Sequence, residues 1–466
     1  MIAVGVDVGT TNCKAVALDE NGALLARSSV PMPPEDYPDA EGWLEGFRKA
    51  FAGLLGQLPT AAARAEIACS IATQGGSFVP VDAGFAPVHR GCCWTAKASQ
   101  ETIRDLAEFL GAEQCYRQSG FLPDPWLAGT KMREFAASCR GPRRWRRLAA
   151  VPEFIHGRCG GPFLTDVSNA QLTVLYDFPA RRWDPRMLGW AGLTEEDVAP
   201  AATDLRVIFE RPMDDVVAGW AGTVRFATSS HDQYAAMLAA GLRPDGPLMI
   251  ATGTAWVISG KSAEPLYDFD RHLVHPGRDF ATDAFGYFMG LGTVGKEFAA
   301  LAAAAGLDLA DAPALEEALG SLPPPAGPVT VERRAGAVSE GGRPVADPRL
   351  AVRRYMEWVA SRIRWLLERS GRLAHASGLV MTGGAARGAL WPQMLADTCG
   401  VHLDVVRLPE LTAYGAALAA GAAVGLWPMG EHRWPAGVPV VRCEPSAGSP
   451  YAEWYADHQR DAAAEG

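Results

Sequence analysis

After Met1 the chain reads Ile2-Ala3-Val4-Gly5-Val6-Asp7-Val8-Gly9-Thr10-Thr11. The small and β-branched apolar residues predict a buried strand over residues 2–8, and the glycine with two threonines predicts a tight turn. Residues 14–18, Lys-Ala-Val-Ala-Leu, predict a returning strand. Strand, turn and strand make a meander, which differs from the strand-turn-helix that begins a Rossmann unit.

A similar pattern occurs in the second half of the chain. Leu248-Met249-Ile250-Ala251 precedes Thr252-Gly253-Thr254, and Trp256-Val257-Ile258-Ser259 follows. Both turns combine glycine with hydroxyl side chains, which suits phosphate because backbone amides can approach closely and hydroxyls add donors. The two copies indicate an internal duplication. For either turn alone, an ordinary hairpin is the competing interpretation.

Length and composition predict a globular protein of two domains. A chain of 466 residues exceeds what one hydrophobic core usually organises, and 48% apolar with 21% charged residues is ordinary for soluble proteins. We expect an α/β fold with domains at residues 1–243 and 244–466 and a site in the cleft between them. The junction is placed at Pro244-Asp245-Gly246-Pro247, which is rich in turn-forming residues.

Hydrophobic periodicity places further elements along the chain. Residues 348–370 show the clearest helical pattern, with apolar side chains near one face and Gly371 as a stop. Residues 321–348 contain Pro323-Pro324-Pro325 and predict a loop-rich surface excursion. Other predicted elements are helices at residues 100–110, 194–198, 391–399 and 413–424, and a strand at residues 379–381.

Charge and cysteine content disfavour several classes of protein. The net charge of -10 argues against nucleic-acid binding, which needs a concentrated basic face. Arg143, Arg144, Arg146 and Arg147 cluster around Trp145 and predict one solvated helix face. Nine cysteines without a Cys-x-x-Cys pair disfavour a disulfide framework and a structural zinc site.

Neither a signal peptide nor a membrane span is predicted. The N-terminal residues lack a basic region and a small-residue cleavage site, and no apolar run approaches the length that crosses a bilayer. We therefore expect a protein of the reducing cytoplasm without a membrane partner.

Two aspartates are candidates for chemistry. Asp232, within Ser230-His231-Asp232-Gln233-Tyr234-Ala235-Ala236, is predicted to follow a strand and begin a helix, at the sheet edge where α/β sites form. As a general base it could accept a proton from a hydroxyl that attacks a terminal phosphate, whereas its alternative role is a helix cap. Asp7 could hold Mg2+ directly or through water, or simply bind nearby amides.

Four motifs occur in order: Asp-x-Gly-Thr-Thr from Asp7, His-Asp-Gln from His231, Thr-Gly-Thr from Thr252, and Gly-Gly followed by Gln-x-x-Ala-Asp between Gly383 and Asp397. Any one of them is a weak signal, while the ordered series is strong. The series resembles the FGGY family of carbohydrate kinases, whose fold is of the actin and hexokinase type with two ribonuclease H-like domains. The resemblance extends from residue 2 to about residue 427.

The resemblance implies a nucleotide and a metal ion. ATP is the expected phosphate donor, Mg2+ is the expected metal with Asp7 attending it, and Asp232 is the expected catalytic base. Lys14 would reach the transferred phosphate or the substrate, although an exposed hairpin lysine is the alternative. Because family members are often dimers, a homodimer is an open expectation. The implied nucleotide contacts are Gly9, Thr10, Thr11, Lys14, Gly253, Thr254, Gly383 and Gly384.

The sequence departs from the family where the sugar should bind. Xylulokinase-like members have Gln-Met-His-Gly, but this chain has Thr73-Gln74-Gly75-Gly76, so the histidine is absent. Many members have Trp-x-Asp-x-Arg, but here the segment is Trp94-Thr95-Ala96-Lys97-Ala98, without the two charged groups of that motif. Other side chains must therefore bind the substrate. The candidate substrate residues are Gln74, Gly75, Trp94, Lys97, His231, Asp232 and Gln233.

Two smaller departures concern other parts of the family pattern. The Lys-Leu-x-Trp element is altered to Lys131-Met132-Arg133-Glu134-Phe135, a change that we assign to packing. The serine after the double glycine is Gly388, which removes a contact to the nucleotide. Neither departure changes the predicted reaction.

Two other segments have patterns typical of binding sites. Residues 290–297, Gly-Leu-Gly-Thr-Val-Gly-Lys-Glu, match Gly-x-Gly-x-x-Gly and most of a Walker A loop, but Glu297 stands where a Ser or Thr must bind Mg2+. We therefore predict a plain loop that leads into a helix. His272 and His275 have the spacing of metal ligands, but no third ligand is nearby and metal binding is not expected.

The predicted reaction is transfer of the γ-phosphate of ATP to a primary hydroxyl of a ketose, sugar acid or polyol. Domain closure is expected to exclude water, which would otherwise compete as the acceptor. The alternative from another class is a sensor of the same fold that binds ATP and sugar without turnover. Asp232 favours the enzyme, since a sensor needs no base.

Overall fold

A computed structural model describes residues 1–58, 66–139, 145–333, 336–408, 410–428 and 438–460. Arg143 and Arg144 of the predicted basic helix face lie outside these residues. The rest of that prediction is wrong, because Arg147 begins the strand Arg147–Ala150 and Trp145 is buried. Hydrogen bonds to the strand Phe78–Val81 hold this segment extended. Among the described residues, the helices are too short or too polar to cross a membrane.

The first large sheet contains the N-terminal meander that the sequence predicts. Its order is β5-β6-β4-β1-β2-β3, with β7 also paired to β4. Strand β1 runs antiparallel to β2 and parallel to β4. The amide of Gly9 donates to the carbonyl of Asn12 at 3.1 Å, which closes the turn between β1 and β2. These strands are β1 (Ile2–Val8), β2 (Asn12–Leu18), β3 (Leu24–Pro31), β4 (Ile67–Thr73), β5 (Val207–Pro212), β6 (Thr223–Ala227) and β7 (Ser230–His231).

The second large sheet repeats this local arrangement. Its order is β10-β11-β9-β8-β12-β13-β14. Strand β8 runs antiparallel to β9 and parallel to β12, as β1 does with β2 and β4. The predicted strand-turn-strand at residues 248–259 is therefore confirmed. These strands are β8 (Leu248–Thr252), β9 (Trp256–Ser262), β10 (His275–Arg278), β11 (Phe285–Gly292), β12 (Leu379–Gly383), β13 (Leu403–Val406) and β14 (Val440–Cys443).

Helices form where the sequence has apolar residues at helical spacing or a strong cap. The longest begins after Asp347, whose side chain accepts hydrogen bonds from the amides of Arg349 and Leu350, with Pro348 in its first turn. The main helices are α1 (Glu41–Leu55), α2 (Gln100–Leu110), α3 (Ala112–Ser119), α4 (Ala128–Ser138), α5 (Val151–Arg158), α6 (Asp232–Ala239), α7 (Val294–Ala304), α8 (Ala312–Gly320), α9 (Pro348–Arg369), α10 (Leu390–Cys399) and α11 (Leu411–Ala423).

Shorter elements complete the described chain. The helix predicted at residues 194–198 is a 3-10 turn, and the other short helical segments are Val167–Ala170, Gln171–Thr173, Pro185–Trp190, Glu195–Asp197, Met213–Val216, Gly384–Arg387, Tyr451–Trp454 and Tyr455–Gln459. Small antiparallel or parallel pairs join Phe78–Val81 with Arg147–Ala150, Thr165–Asp166 with Ala201–Ala202, and Tyr176–Asp177 with Arg182–Trp183.

Residues 321–348 contain a small sheet, which the loop prediction missed. Its strands are Val329–Glu332, Ala337–Glu340 and Arg343–Pro344. The amide of Val329 donates to the side-chain oxygen of Gln459 at 2.6 Å, and Arg354 of α9 donates to Glu340 at 2.7 Å. Gln459 is 130 positions from Val329 and Arg354 belongs to another element, so local composition alone indicated only a loop.

The chain divides into two compact units, each made of separate segments. The first unit consists of Met1–Gly241, Ser262–Gly286 and a segment that begins at Glu410 and includes α11. The second contains Leu242–Lys261, a segment that begins at Tyr287 and includes α7 to α10, and the described C-terminal residues. The domain division at residues 243 and 244 stays a prediction.

Close helix packing builds the core of the first unit. Helix α1 buries Trp43, Phe47 and Phe51 on one face, with the rings of Phe47 and Phe51 stacked at 5.7 Å. Helix α11 lies against β1 so closely that a Cβ on Gly5 would stand 1.9 Å from the carbonyl oxygen of Ala413. Small residues therefore let α11 support the strand that ends near Asp7.

Candidate functional site

Two aspartates are brought to the carboxyl edge of the first sheet. In the parallel pairs that β4 makes with β1 and β7, Asp7 and Ser230 both stand level with Ala72. Asp232 follows β7 directly and is the first residue of α6. Because the three strands end at the same edge, the Asp232 carboxylate belongs to the electrostatic environment of Asp7.

The environment of Asp7 is crowded with negative charge. Desolvation by burial and then the charge of Asp232 raise the pKa of Asp7, Lys14 lowers it, Glu410 raises it, and the result of all four is a pKa of about 8. Carboxylates whose charge is disfavoured in this way suit a divalent cation, which supplies the missing positive charge. The described residues hold no group of three or more acidic, His or Cys side chains that could enclose a metal alone. A site with few protein carboxylates fits Mg2+, because Mg2+ usually keeps water and phosphate oxygens as ligands.

Asp232 has a neighbour that can orient its carboxylate. The Nε2 atom of His231 lies 2.9 Å from Oδ1 of Asp232. The backbone amide of His231 donates to Oγ of Ser168 at 2.9 Å, and the Ser168 hydroxyl donates to the buried carboxylate of Asp166. Asp166 also accepts hydrogen bonds from Asn169 and Ser229. A buried polar network thus fixes the backbone that carries Asp232.

Gly75 leaves the space that the His231 ring occupies. A Cβ on Gly75 would stand 2.7 Å from Cδ2 and 3.0 Å from Nε2 of His231, and 2.1 Å from a methyl carbon of Leu172. Gly75 therefore has a steric role, because any side chain at position 75 would press on the imidazole and on Leu172.

Lys14 is paired with a residue that the sequence did not single out. Its ammonium lies 2.7 Å from the carboxylate of Glu410, which precedes α11 in a left-handed conformation with φ of +61°. Glu410 also contributes to the field at Asp7. Its one signal in the sequence is its place directly before the Leu411-Thr412-Ala413-Tyr414-Gly415 segment.

The two threonines of the first glycine-threonine turn lie in different surroundings. Thr11 is exposed, and its hydroxyl accepts a hydrogen bond from the side chain of Asn12 at 3.2 Å. The Thr10 hydroxyl instead donates to Oε1 of Gln74 at 2.5 Å and accepts from the indole Nε1 of Trp94 at 2.9 Å. The structure thus joins Thr10 to the predicted substrate residues.

A small cavity opens beside this three-residue contact. It has a volume of about 130 Å3, and Thr10, Gln74, Cys93 and Arg90 are among the residues that line it. The Arg90 guanidinium is paired with Glu35 at 2.8 Å. The side-chain groups of Thr10, Gln74 and Trp94 are uncharged hydrogen-bonding groups, which suit neutral hydroxyl or carbonyl oxygens.

Two other predicted substrate residues lie elsewhere on this unit. Lys97 is exposed. The side-chain oxygen of Gln233, next to Asp232, is buried and has no hydrogen-bond partner among the described residues. A buried oxygen without a partner is suited to accept a hydrogen bond from a hydroxyl of a bound molecule.

The second unit holds a separate pocket of about 520 Å3 beside the other glycine-threonine turn. Thr252, Gly253 and Thr254 line it together with Gly384. The Thr252 hydroxyl donates to the carbonyl of Thr382 at 2.6 Å and accepts from the amide of Ala385 at 3.1 Å. These bonds tie the turn after β8 to the turn after β12.

Glycine is required where these two turns approach each other. Gly383 has φ of +98°, and a Cβ there would stand 2.6 Å from the carbonyl oxygen of Thr252. A Cβ on Gly295 would stand 2.1 Å from the carbonyl oxygen of Gly253. The predicted nucleotide glycines 253, 383 and 384 therefore belong to two turns in close contact, and Gly253 and Gly384 line the pocket.

Aromatic and apolar side chains form much of the rest of the pocket, which Lys296, Glu316 and Arg387 also line. The Trp391 ring lies 4.6 Å from that of Trp256 and 4.7 Å from that of Phe298. At Gly388 the side chain of Glu316 occupies the available space, because a Cβ there would stand 2.7 Å from Oε1 of Glu316. The pocket has the size and the apolar walls that suit a planar base.

The two other segments with patterns typical of binding sites make contacts within the protein. Strand β11 leads directly into α7, the amide of Gly295 donates to the carbonyl of Thr254 at 3.1 Å, and Glu297 binds Arg333. The predicted entry into a helix is confirmed, but the predicted loop is wrong, because residues 290–292 belong to strand β11. The His272 ring packs on Tyr116, and Nδ1 of His275 lies 3.1 Å from the carbonyl oxygen of Gly120.

Comparison with protein families gives two matches. Residues 2–239 match the N-terminal domain of the FGGY family of carbohydrate kinases. Residues 293–424 match the C-terminal domain of the same family. Together the two matches include the elements that carry Asp7, Asp232 and the pocket residues from Gly295 onward, whereas Thr252, Gly253, Thr254 and Trp256 lie between the two matched ranges.

Individual proteins are similar over nearly the whole chain. Autoinducer-2 kinase from Yersinia pestis (strain Pestoides F) is 26% identical, over 91% of this chain and 86% of the relative. A solved xylulose kinase from Rhodospirillum rubrum has a TM-score of 0.85 at 18% identity, over 98% of this chain and 97% of the other. A Plasmodium falciparum glycerol kinase solved with ADP has a TM-score of 0.77 at 15% identity, over 96% and 94%. The two solved structures share the α/β fold described above.

Proposed function

Because the chain belongs to the FGGY family of carbohydrate kinases, we propose that it transfers the γ-phosphate of ATP to a hydroxyl of a small neutral sugar or polyol. Asp232 is the general base in this proposal. The observation that carries it is the pair of carboxylates, Asp7 and Asp232, at one sheet edge with His231 beside the second. A phosphotransferase needs one group that attends the metal and another that accepts the proton.

Asp232 takes the proton from the attacking hydroxyl. His231 contacts Oδ1, which leaves the other carboxylate oxygen to accept a hydrogen bond from the substrate. The network through Ser168 and Asp166 holds this arrangement before the substrate arrives. A base that is already oriented lowers the barrier because no reorganisation is needed during the reaction.

Mg2+ would be held by Asp7 with water and phosphate oxygens, and it would neutralise charge on the transferred phosphate. The pKa of Asp7, raised to about 8 by desolvation and by Asp232, supports this role because a nearby cation would favour ionisation. Gly9 and Thr11 remain candidates for phosphate contacts, and Lys14, which stands opposite Asp7 in the sheet, is paired with Glu410.

The nucleotide site proposed here is the pocket of the second unit. Gly253 and Thr254 would bind the phosphates, while Gly383 and Gly384 would pass beneath the adenosine. The apolar walls around Trp256 and Trp391 support burial of the adenine ring.

For the acceptor, Gln74 and Gln233 offer uncharged hydrogen-bonding groups, and the uncharged indole of Trp94 is bonded to Thr10 beside Gln74. This favours ketoses, polyols and related neutral compounds over sugar acids, since Arg90 is already paired with Glu35. Autoinducer-2 is the first candidate, because the similar kinase named for it aligns with 91% of the chain.

The test is ADP release with ATP and Mg2+ in the presence of autoinducer-2, D-xylulose, D-gluconate or glycerol. At least one neutral acceptor should stimulate release, and Asp232→Asn should lower kcat by about a thousandfold. Asp270→Asn changes an exposed aspartate and is the matched control, with activity near wild type. If no acceptor stimulates ADP release while ATP and an acceptor still bind, the chain is a sensor and the proposal fails.

A further inference from the structure

Lys131 is a buried lysine close to the proposed sugar-binding residues. Its side chain is only 5% exposed, and its ammonium donates to the carbonyl oxygens of Gly76 and Cys93, both at 3.0 Å. Desolvation lowers the pKa of Lys131 to about 8. Burying an ammonium group is unfavourable. Filling space alone therefore does not explain a lysine that is buried here and bonded to two backbone carbonyls.

The two carbonyls belong to the segments that present the sugar-side groups. Gly76 follows Gln74 by two residues, and Cys93 directly precedes Trp94. The side chains of Gln74 and Trp94 both hydrogen-bond to the hydroxyl of Thr10. Lys131 thus contacts the backbone of both segments, while Thr10 contacts one side chain from each.

We propose that Lys131 is a positioning residue for the acceptor: its ammonium holds the turn after β4 against the segment before Trp94, and so fixes the amide of Gln74 and the indole of Trp94. The inference rests on the proposed function, since it concerns the residues assigned there to the sugar. Lys131 does not touch the substrate in this role. It acts through Gln74 and Trp94.

A packing role alone does not account for these contacts. The neighbouring Met132 is 3% exposed and packs in an apolar cluster with Leu127 and Ala128, so α4 is anchored there without a charge. Gly76 has φ of +75°, and the amide of Trp94 donates to the hydroxyl of Ser77 at 2.9 Å. The turn is therefore an irregular segment whose carbonyls depend on a donor from outside.

The experiment compares Lys131→Met, which keeps an unbranched side chain of similar length and removes the ammonium, with Lys49→Met on the exposed face of α1. We expect Lys131→Met to raise KM for the best neutral acceptor of the four-compound panel at least tenfold, with KM for ATP within twofold of wild type. Lys49→Met should leave both constants unchanged. A loss of kcat alone, in proportion to the folded fraction and with KM unchanged, overturns the proposal.

A double-mutant cycle separates positioning from general damage. If Lys131 acts through Gln74, then Lys131→Met should raise the acceptor KM much less in a Gln74→Ala background than in the wild type. Equal fold-changes in the two backgrounds contradict the proposal.

Hydrogen exchange gives a readout that does not depend on turnover. In Lys131→Met, amides of residues 74–77 and 93–95 should exchange at least tenfold faster, while those of β1 keep their wild-type rates. Unchanged exchange at both segments contradicts the inference. If the wild type has no acceptor-dependent ADP release, the proposed function fails, and the exchange result alone decides whether Lys131 orders these segments.

Discussion

At the scale of single residues, His231 and Gly75 show how a side chain and a missing side chain act together. The imidazole of His231 contacts the Asp232 carboxylate at 2.9 Å, and its ring lies where a Cβ on Gly75 would stand. The position of the proposed base therefore depends on a residue that has no functional group of its own.

Replacing Gly75 tests this dependence. Gly75→Ala should lower kcat at least tenfold, because the added methyl would push the His231 ring away from Asp232, while far-UV circular dichroism stays that of the wild type. Gly84→Ala is the control, since the nearest atom to its new Cβ lies 3.5 Å away. Equal steady-state constants for Gly75→Ala and wild type would show that the ring has room to move.

Because Glu153 on α5 is buried, we expect the free energy of unfolding to depend on pH. The side chain is 4% exposed, and desolvation raises its pKa to about 7, from 4.5 for an ordinary glutamate. A carboxyl whose pKa is raised in the folded state stabilises the fold below pH 4.5, and that contribution is lost as pH rises towards 7, because the unfolded chain ionises first.

Glu153→Gln removes this titration. The free energy of unfolding of the variant should rise relative to wild type by about 2 kcal/mol between pH 5 and pH 8, measured by urea denaturation. Glu317→Gln changes an exposed glutamate and should give a difference independent of pH. A difference for Glu153→Gln that is the same at both pH values would mean that the folded carboxyl is already ionised at pH 5.

At the scale of elements, α11 and α6 are held together by contact between backbones. A Cβ on Gly415 would stand 1.9 Å from the carbonyl oxygen of Ala235, in the helix that begins with Asp232. Ala72, Ala235 and Ala416 form a small apolar cluster beside this contact. The Ala and Gly content of α11 thus serves to place α6 and its first residue.

Gly415→Ala should separate the two helices. We expect a loss of about 3 kcal/mol in the free energy of unfolding, since the obstacle is backbone and cannot rotate away, together with a lower kcat as Asp232 shifts. Gly189→Ala has open space around its new Cβ and should change stability by less than about 1 kcal/mol. Urea denaturation and steady-state kinetics measure both effects, and wild-type values for Gly415→Ala would contradict the tight packing.

At the scale of the whole molecule, the first unit takes in chain from three separate segments. Helix α11 comes from near the other end of the sequence and lies against β1. The segment Ser262–Gly286 also belongs to this unit, and the Tyr116 hydroxyl donates to the carbonyl of Val274 at 2.5 Å. The unit is therefore completed only after most of the chain has been synthesised.

Truncation at the predicted domain boundary tests this organisation. Residues 1–243 alone should show no cooperative unfolding transition, because β1 would expose the apolar face that α11 covers. Appending residues 262–286 and 410–428 through flexible linkers should restore a cooperative transition in circular dichroism. If residues 1–243 unfold cooperatively without them, the division at residues 243 and 244 describes an independent domain.

Several features could be predicted because they depend on neighbouring residues. Strand and helix periodicity located β1, β2, α2 and α9 closely, and the ordered motifs indicated the family. The small sheet within residues 321–348 was missed because its partners, such as Gln459 and Arg354, come from other elements. Local pattern carries no information about such partners.

The two strand-turn-strand units, and the order of motifs that identifies a carbohydrate kinase, could be predicted from the residues alone. The groups that those motifs contact became known from the folded chain. Thr10 pairs with Gln74 and Trp94, which are 64 and 84 positions away, and Lys131 reaches the carbonyl of Gly76 across 55 positions. The physical reason is that a turn depends on its own few residues, whereas such contacts depend on how distant elements pack.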